Sequence, residues 1–530
     1  MKKFCFIQTV LIWLVLAVLM PACDFLHAAY LDTIGVTLLR TMTTNLNGAG
    51  ITVGQAEASL STNSPIWEVN PGVVGRPTNL FTYFSGSPPD YLSVMATNNF
   101  PNLLGAESGH ADIVAGYFYG LPGGVATNVA HVNNYDADTF ISYYVNQGHA
   151  ISERIVNQSF TDGVYDTNVD QIYDNYAAQN GVLFVTGAGF GGQPVYSPAT
   201  CYNGIGVGST AYNSPDGPTP DGRSKPDLVA SDAPETSYTT PQVSGAAALL
   251  MQAGLRGDGG NATNLAVDIR TLKALLLNGA VKQSDWTNSP STPLHPLYGA
   301  GMMNVFNAYS QLAGGKRSYI ASFSVATNSP HPPTGATGTI SVLNGWDFNT
   351  NSSSATTDGV NHYYFNVTNE ANNAQFMVTA TLVWNRHKNK TAINNLDLFL
   401  YDTASSNLVL CSTSRVDNVE HLWQPQLPQG RYDLQVVKNG GTNVVSNAES
   451  YALAWAFTAP TLNLIATGTN TTLTWPVYPA GFRAEASLNL ESPAWSPNDL
   501  SLPVITNSMN SLTLDTTNAQ QFFRLRQPDF

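Results

Sequence analysis

Residues 236–254, TSYTTPQVSGAAALLMQAG, decide the fold that we predict for the N-terminal half of this chain. Residues 243–253 are almost wholly apolar over the length of a helix, which predicts a buried helix. Ser237 stands where this helix begins, and the free backbone N–H groups and helix dipole there favour developing negative charge. Pro241 fits a first helical turn because its missing N–H would have no partner there. By itself, the segment is explained better by a serine that caps a core helix.

Strand-like and helix-like stretches alternate before this helix. Residues 50–53, 152–159 and 182–185 predict three strands, of which the first is short and buried. Residues 169–179 carry apolar side chains at helical spacing, and the Asn180-Gly181 pair that follows is typical of a helix end. The alternation predicts an α/β domain over residues 30–313, in which helices flank a parallel sheet.

The pattern changes near Gly314. Beyond it, short runs rich in aromatic and β-branched residues are separated by Gly, Asn and Pro, as the strands of all-β domains are. We therefore predict a jelly-roll-like β-sandwich over residues 314–458 and a small C-terminal β module over residues 459–530. The length of 530 residues is consistent with several domains.

The charge balance and the N-terminus bear on partners and location. The 36 acidic residues outnumber the 22 basic ones, which argues against a nucleic-acid binder because such proteins cluster Lys and Arg against phosphates. Lys2 and Lys3, an apolar run to residue 21, and small residues at Ala28 and Ala29 predict a signal peptide over residues 1–29. We expect a secreted protein, located outside the cell, on its surface or in the periplasm. A retained membrane anchor and a lipoprotein are the alternatives.

The four cysteines do not form a recognisable framework. Cys5 and Cys23 lie in or beside the predicted signal peptide. Cys201 and Cys411 are far apart, and their spacing matches neither a disulfide scaffold nor a zinc site. We expect both of these thiols to be free and buried.

Four more segments accompany the Ser237 segment. They are residues 110–116 (HADIVAG), 197–208 (SPATCYNGIGVG), 221–230 (DGRSKPDLVA) and 299–305 (GAGMMNV). In this order, the five segments resemble the landmarks of the subtilisin-like serine peptidases, or subtilases, of the secreted bacterial type with C-terminal β modules. The resemblance spans nearly three hundred residues.

The resemblance implies the roles of several residues. It places the nucleophile at Ser237 and its general base at His110, and it implies protein or peptide substrates bound by a monomer that requires no cofactor. It also implies that substrate lies along two strands near the nucleophile. The residues expected to bind it are Gln158, Ser159, Gly187, Ala188 and Gly189.

Two positions depart from the family pattern. The strand register over residues 48–57 (GAGITVGQAE) arrives at Glu57 where the family has an aspartate, and a glutamate can still accept the imidazole N–H. Asp32 lacks a preceding strand, and Asp112 is expected to point away from His110, so both are weaker candidates. The family's oxyanion asparagine corresponds to Phe190, whose side chain has no hydrogen-bond donor.

Two other motifs have weaker support. Residues 187–192 (GAGFGG) match a dinucleotide-binding string, but Pro194 and Pro198 prevent the helix that such a site needs. Residues 381–384 and 394–398 resemble the β-sandwich that follows some subtilase domains, which implies that Asp397 could help bind a structural calcium ion. A polar strand residue bonded to a neighbouring turn explains Asp397 at least equally well.

These observations favour a secreted serine endopeptidase that works through an acyl-enzyme on Ser237. Glu57 and Phe190 keep a second hypothesis open, in which a catalytically impaired pseudopeptidase binds peptides or a surface partner. A third hypothesis is a lectin-like exoprotein whose C-terminal modules contact carbohydrate or a cell surface. No inhibitory prodomain of the usual size fits between the predicted signal peptide and Gly48.

Overall fold

The computed structural model describes residues 29–59, 65–87, 90–97, 100, 104–210, 214–231, 235–368, 375–467, 470–490, 494–496, 500–515 and 520–527. Apart from Ala29, the predicted signal peptide lies outside these residues, and so do Cys5 and Cys23. Within them, no helix combines the length and the apolar character needed to cross a membrane.

The described residues of the N-terminal half form ten strands. They are β1 (Thr52–Glu57), β2 (Ile66–Glu68), β3 (Phe81–Ser87), β4 (Asp90–Thr97), β5 (Ala106–Glu107), β6 (His131–Asp136), β7 (Ile155–Gln158), β8 (Leu183–Gly187), β9 (Ile205–Ser209) and β10 (Leu228–Ala230). Eight of them form one sheet in the order β10-β9-β8-β7-β1-β6-β3-β4, and only the β3–β4 pair is antiparallel. The strands β2 and β5 form a separate parallel pair.

Helices flank this sheet. The main ones are α1 (Val36–Met42), α2 (Gly109–Phe118), α3 (Thr167–Asn180), α4 (Thr236–Arg256), α5 (Ile269–Asn278) and α6 (Val305–Ala313). Short helical turns lie at 29–33, Thr78–Leu80, Ala137–Thr139 and Thr263–Ala266, and a π-helix spans Phe140–Asn146. The strands β7, β8 and β9 are buried throughout, as parallel strands covered on both faces are. The predicted α/β class is therefore confirmed.

The local sequence explains where the two predicted helices begin and end. The Asp166 side chain caps the start of α3 by accepting a hydrogen bond from the Asn168 N–H, and Gly181 ends the helix at φ +65°. The apolar stretch 243–253 lies within α4, which begins at Thr236, one residue before the predicted start at Ser237. A side chain at Gly245 would bring its Cβ within 2.5 Å of Val125, so glycine is what allows α4 to pack closely there.

The C-terminal half is all β. Nine strands form the first part: β11 (Ala321–Ala326), β12 (Asn344–Ser352), β13 (Thr357–Val367), β14 (Phe376–Trp384), β15 (Leu396–Asp402), β16 (Leu408–Ser412), β17 (Val419–Leu427), β18 (Gly430–Lys438) and β19 (Ala448–Thr458). They build two antiparallel sheets, ordered β11-β13-β18-β15-β16 and β12-β19-β14-β17, with a shared apolar core. The expectation of an all-β region after the α/β domain is confirmed.

Six more strands follow. They are β20 (Asn463–Thr467), β21 (Asn470–Pro476), β22 (Arg483–Ser487), β23 (Val504–Thr506), β24 (Met509–Asp515) and β25 (Phe522–Arg526). They form a four-stranded sheet, β20-β21-β24-β23, and a two-stranded sheet, β22-β25. Their buried core is small, with Leu473, Trp475, Ala484 and Leu512.

Buried polar contacts join the all-β region to the α/β domain. The Asn278 side chain at the end of α5 accepts hydrogen bonds from Thr379 and Thr381 on β14, at 2.9 and 3.0 Å. Arg386 lies 2.7 Å from Asp174 of α3, and both side chains are buried. Because charges buried between two domains are costly to expose singly, these contacts hold the domains together.

Both described cysteines are free thiols, and one is not placed as expected. Cys201 is buried, and burial raises its pKa to about 12. Cys411 is only partly buried, because it lies on β16 at the edge of its sheet. The expectation that Cys411 is buried was therefore wrong.

Candidate active site

Glu57 and His110 form a buried pair at the carboxyl end of the parallel sheet. Glu57 is the last residue of β1, and His110 is the second residue of α2, which Ser108 caps by accepting a hydrogen bond from the Ala111 N–H. The Glu57 Oε2 atom lies 3.0 Å from His110 Nδ1, and 2% of the glutamate side chain is exposed against 23% of the histidine side chain. Sequence positions 53 residues apart are thus brought into direct contact.

The charge on this histidine is favoured by its surroundings. Burial alone would lower the pKa of His110, but the hydrogen bond that His110 donates to Glu57, the charge of Glu57 and the more distant charge of Glu235 outweigh it and raise that pKa. The Glu57 carboxylate accepts the Nδ1–H and therefore leaves the lone pair on Nε2. This is the tautomer that a general base needs.

Ser237 lies in the first turn of α4, where backbone N–H groups have no partner within the helix. Pro241 lies five residues into α4, so the expectation that it belongs to the first turn was wrong. At that position, proline removes the N–H that would bond to the Ser237 carbonyl. The Ser159 hydroxyl donates to this carbonyl instead, at 2.8 Å, and so ties the start of α4 to the end of β7.

The structure brings Ser237 near His110 but does not join them. The Ser237 hydroxyl donates to the Ser159 carbonyl at 3.4 Å, and among the described residues it makes no hydrogen bond to His110. The ring of Tyr238, the next residue, has its centroid 6.0 Å from that of His110 and stacks on Tyr117. Catalytic contacts of unliganded sites are often long, so this geometry is compatible with a serine–histidine pair that tightens when substrate binds.

The turn expected to supply an oxyanion donor ends in an exposed aromatic ring. Gly189 adopts φ +115°, and its N–H and C=O both bond to the Thr236 hydroxyl, at 3.3 and 2.8 Å. Phe190 follows with 57% of its surface exposed. A phenyl ring cannot donate a hydrogen bond, so the donors at hand are the backbone N–H groups at the start of α4.

Most of the residues expected to bind substrate are buried and bond to other residues of the protein. The Gln158 side chain is buried and bonds to Tyr173 and Thr186. Gly187 lies on β8, and Ala188 is buried, with its carbonyl accepting from the Tyr196 N–H at 3.3 Å. Ser159 is 6% exposed, and its hydroxyl donates to the Ser237 carbonyl.

The weaker candidates lie outside this site. Asp32 is exposed on a helical turn, and the buried Asp112 accepts a hydrogen bond from the Asn70 N–H at 2.6 Å instead of facing His110. Burial, together with nearby carboxylates, raises the pKa of Asp112 to about 7. No helix starts within residues 187–192, which leaves no dinucleotide site there.

Asp397 is bonded within its own sheet. Its carboxylate accepts hydrogen bonds from Asn439 at 2.8 Å and Asn395 at 3.4 Å, and burial raises its pKa to about 6. Across the residues that the structure describes, no three or more His, Cys, Asp or Glu side chains are grouped to hold a metal ion. A calcium site at Asp397 stays a prediction.

Two polar residues beside Glu57 were missed in the sequence. Gln55 donates to Glu57 Oε1 at 2.7 Å, and Tyr119 donates to the Gln55 amide oxygen at 2.6 Å. The strand period could have placed Gln55 beside Glu57, because residues two apart on a strand face the same side. No local pattern could have placed Tyr119 there, since it lies 64 residues from Gln55 in the sequence.

A parallel α/β sheet that carries a carboxylate–imidazole pair at its carboxyl edge, beside a serine that opens a buried helix, defines the architecture of a serine hydrolase. The family comparison makes the assignment specific. Residues 97–301 match the model described as the subtilase family. Over these residues the chain matches the subtilase family, whose members are serine peptidases. The match includes His110 and Ser237 and begins after Glu57.

Solved structures show more distant similarities. One is titled as proteases from Pseudoalteromonas arctica PAMC 21717, at 18% identity, covering 50% of this chain and 91% of that one with a TM-score of 0.35. Another, a lanthipeptide protease, also has 18% identity and a TM-score of 0.35, and the alignment covers 53% of this chain and 94% of that one. Tripeptidyl peptidase 2 matches at 11% identity with a TM-score of 0.32, over 74% and 44% of the two chains. No curated protein matches the chain.

Proposed function

We propose that this protein is a secreted serine endopeptidase of the subtilase family, with Ser237 as nucleophile, His110 as general base and Glu57 as the acid that orients the base. The observation that carries the proposal is the buried contact of 3.0 Å between Glu57 and His110, with the start of α4 beside it. A buried carboxylate that fixes the histidine tautomer is what activation of a serine requires.

The reaction proceeds in two balanced halves. His110 Nε2 takes the Ser237 hydroxyl proton while Oγ bonds to the substrate carbonyl carbon, and the proton then passes to the amine as the C–N bond breaks. Water attacks the acyl-enzyme in the same way and returns the proton to Ser237 Oγ. Glu57 stays ionised and stabilises the imidazolium. The backbone N–H groups at the start of α4 support the negative oxygen.

The remaining parts of the proposal rest on the sequence and the family. The match of residues 97–301 to a peptidase family supports protein or peptide substrates. The predicted signal peptide supports export, and we infer a monomer that needs no cofactor for catalysis. A structural calcium ion near Asp397 and contact of the C-terminal module with a cell surface or carbohydrate extend the proposal to regions away from the site.

Two observations favour a second candidate, a pseudopeptidase that binds peptides without turnover. Phe190 cannot supply the side-chain hydrogen bond that the family places in this turn, and the Ser237 hydroxyl points to the Ser159 carbonyl. An active site that lacks one oxyanion donor is slowed by roughly 10²–10³-fold in the known subtilisin case, so a weak enzyme and a binding protein both fit this feature.

Labelling by a fluorophosphonate probe, together with casein hydrolysis, separates the two candidates. We expect the full chain to label and to cleave casein, and the Ser237→Ala variant to lose both activities. Ser291→Ala is the matched control, because Ser291 is exposed on a distant turn. Labelling at Ser237 without cleavage would favour the pseudopeptidase. A wild-type protein that shows neither activity would remove the enzyme hypothesis.

A further inference from the structure

The Glu57 carboxylate is held at both oxygens. Oε2 faces His110 Nδ1 at 3.0 Å, and Oε1 accepts a hydrogen bond from the Gln55 side-chain amide at 2.7 Å. Glu57 and Gln55 are both buried, so water does not compete for these positions. Two charge-assisted hydrogen bonds from opposite sides leave the carboxylate little freedom to rotate.

Gln55 is itself held in one orientation. Its amide oxygen accepts from the Tyr119 hydroxyl at 2.6 Å, and its amide nitrogen also donates to the Ala111 carbonyl at 3.0 Å. If the amide turned over, its oxygen would face the Glu57 carboxylate and the Ala111 carbonyl, which are both acceptors. Since Tyr119 is also fully buried, those lost hydrogen bonds could not be replaced by water.

Helix α2 and the residue after it take part in this hydrogen-bond network at both ends. It carries His110 in its first turn and Ala111 beside it, and Tyr119 follows directly after its last residue. Gln55 and Glu57 lie two residues apart on β1 and so face the same side of the sheet, toward α2. The helix that presents the histidine thus also supplies both groups that orient Gln55.

We propose that Gln55, oriented by Tyr119, is a positioning residue that fixes the Glu57 carboxylate against His110. A glutamate has one more rotatable bond than an aspartate, and without a second anchor its carboxylate would sample several positions. The hydrogen bond from Gln55 selects the one position in which Glu57 Oε2 meets His110 Nδ1, so that Nε2 stays free to act as the base. This inference rests on the proposed function, because it assigns Glu57 the task of orienting the catalytic base.

Substitution of both residues tests the proposal. In Gln55→Met, we expect kcat to fall about 10- to 100-fold with KM unchanged, because a misplaced catalytic group slows the chemistry and leaves substrate binding intact. Tyr119→Phe should lower kcat by a smaller factor. The double variant should be no slower than Gln55→Met alone, because Tyr119 acts through Gln55. Tyr83→Phe is the matched control, since its buried hydroxyl donates to the Val69 carbonyl, at 2.8 Å, and not to Gln55 or Glu57.

A second readout does not depend on turnover. In a Ser237→Ala background, the His110 imidazole is titrated by NMR, with Glu57 and Glu235 as the carboxylates and Tyr238 as the ring that face it. We expect Gln55→Met to move this titration to lower pH, because a mobile Glu57 supports the imidazolium less well, and Tyr83→Phe to leave it unchanged.

The outcomes distinguish this inference from the proposed function. If the wild type fails to label with the probe while Gln55→Met still shifts the His110 titration, the enzyme hypothesis fails and the positioning role stands. If the wild type is active but Gln55→Met behaves like Tyr83→Phe in both readouts, the positioning role is refuted. Multiplicative losses in the double variant would also refute it, and if Gln55→Met does not fold, Tyr119→Phe carries the test.

Discussion

Asp227 lies at the centre of a buried charge cluster within the DGRSKPDLVA segment, and replacing it by asparagine should strongly destabilise the protein. Its carboxylate contacts Lys225 Nζ at 2.5 Å and Lys273 Nζ at 2.9 Å, and all three side chains are buried. It also accepts from the Gly206 N–H at 2.7 Å, at the start of β9. Burial opposes its charge, but the two lysines outweigh this and lower the pKa of Asp227.

The expected loss in unfolding free energy follows from the two lysines that Asp227→Asn leaves unneutralised. Asparagine keeps the shape of the side chain but removes its negative charge, which leaves two buried ammonium groups without a counter-charge, bonded to backbone carbonyls and at most a neutral amide oxygen. Breaking a buried ion pair by removing one partner typically costs about 3–5 kcal/mol. The alternative is to deprotonate a lysine, which costs about 1.4 kcal/mol for each pH unit below its ordinary pKa, or about 5 kcal/mol at pH 7. Both routes give a loss of about 3–5 kcal/mol for Asp227→Asn.

Urea unfolding of the full chain, followed by tryptophan fluorescence, measures this loss. Asp258→Asn is the matched control, because its partner Arg256 is partly exposed and such pairs contribute about 1 kcal/mol or less. Between pH 7 and 5, the difference in unfolding free energy between wild type and Asp227→Asn should stay constant. The pKa of Asp227 is lowered from 3.8, so the stability that its charge contributes is lost only when the pH falls below that value.

Above pH 7 the Asp227→Asn penalty should shrink. Burial already lowers the pKa of Lys273, and without Asp227 the folded state would bind fewer protons than the unfolded state, so stability rises with pH. A variant within 0.5 kcal/mol of wild type, a rough limit for a harmless surface change, would refute this account of the cluster. A penalty that grows toward pH 9 would contradict the role assigned to the lysines.

Two predictions concern catalysis. The pKa of His110 is raised above 6.5, and a general base must be neutral. We therefore expect kcat/KM on a peptide substrate to increase with pH, with a midpoint above 6.5. A midpoint below 6.5 would contradict the proposal that Glu57 and Glu235 raise this pKa. Phe190→Asn should restore a side-chain oxyanion donor and raise kcat about 10-fold or more, whereas Phe190→Ala should not; equal rates for the two variants would mean that the oxyanion is stabilised elsewhere.

Local signals in the sequence were sufficient for much of the fold. The apolar stretch 243–253 predicted the buried helix, and Asn180-Gly181 predicted the end of α3, because capping and hydrophobic period act over a few residues. The predictions failed where the structure depends on contacts between residues far apart in the sequence. Pro241 was predicted in the first turn, but α4 begins at Thr236, and the Ser159 hydroxyl, 78 residues from Ser237, bonds to the Ser237 carbonyl that the proline leaves free.

The same distinction holds for the candidate active site. Ordered motifs were enough to predict Ser237, His110 and Glu57 as a set, and a strand register was enough to favour Glu57 over Asp32. The sequence could not show that Glu57 is held by Gln55 and Tyr119, or that the Ser237 hydroxyl turns toward Ser159, because these contacts join segments that only the packed sheet and helices bring together. Residue identity and spacing thus determined which groups are present, and tertiary packing alone decided how they point, since a side chain's orientation depends on partners distant in the chain.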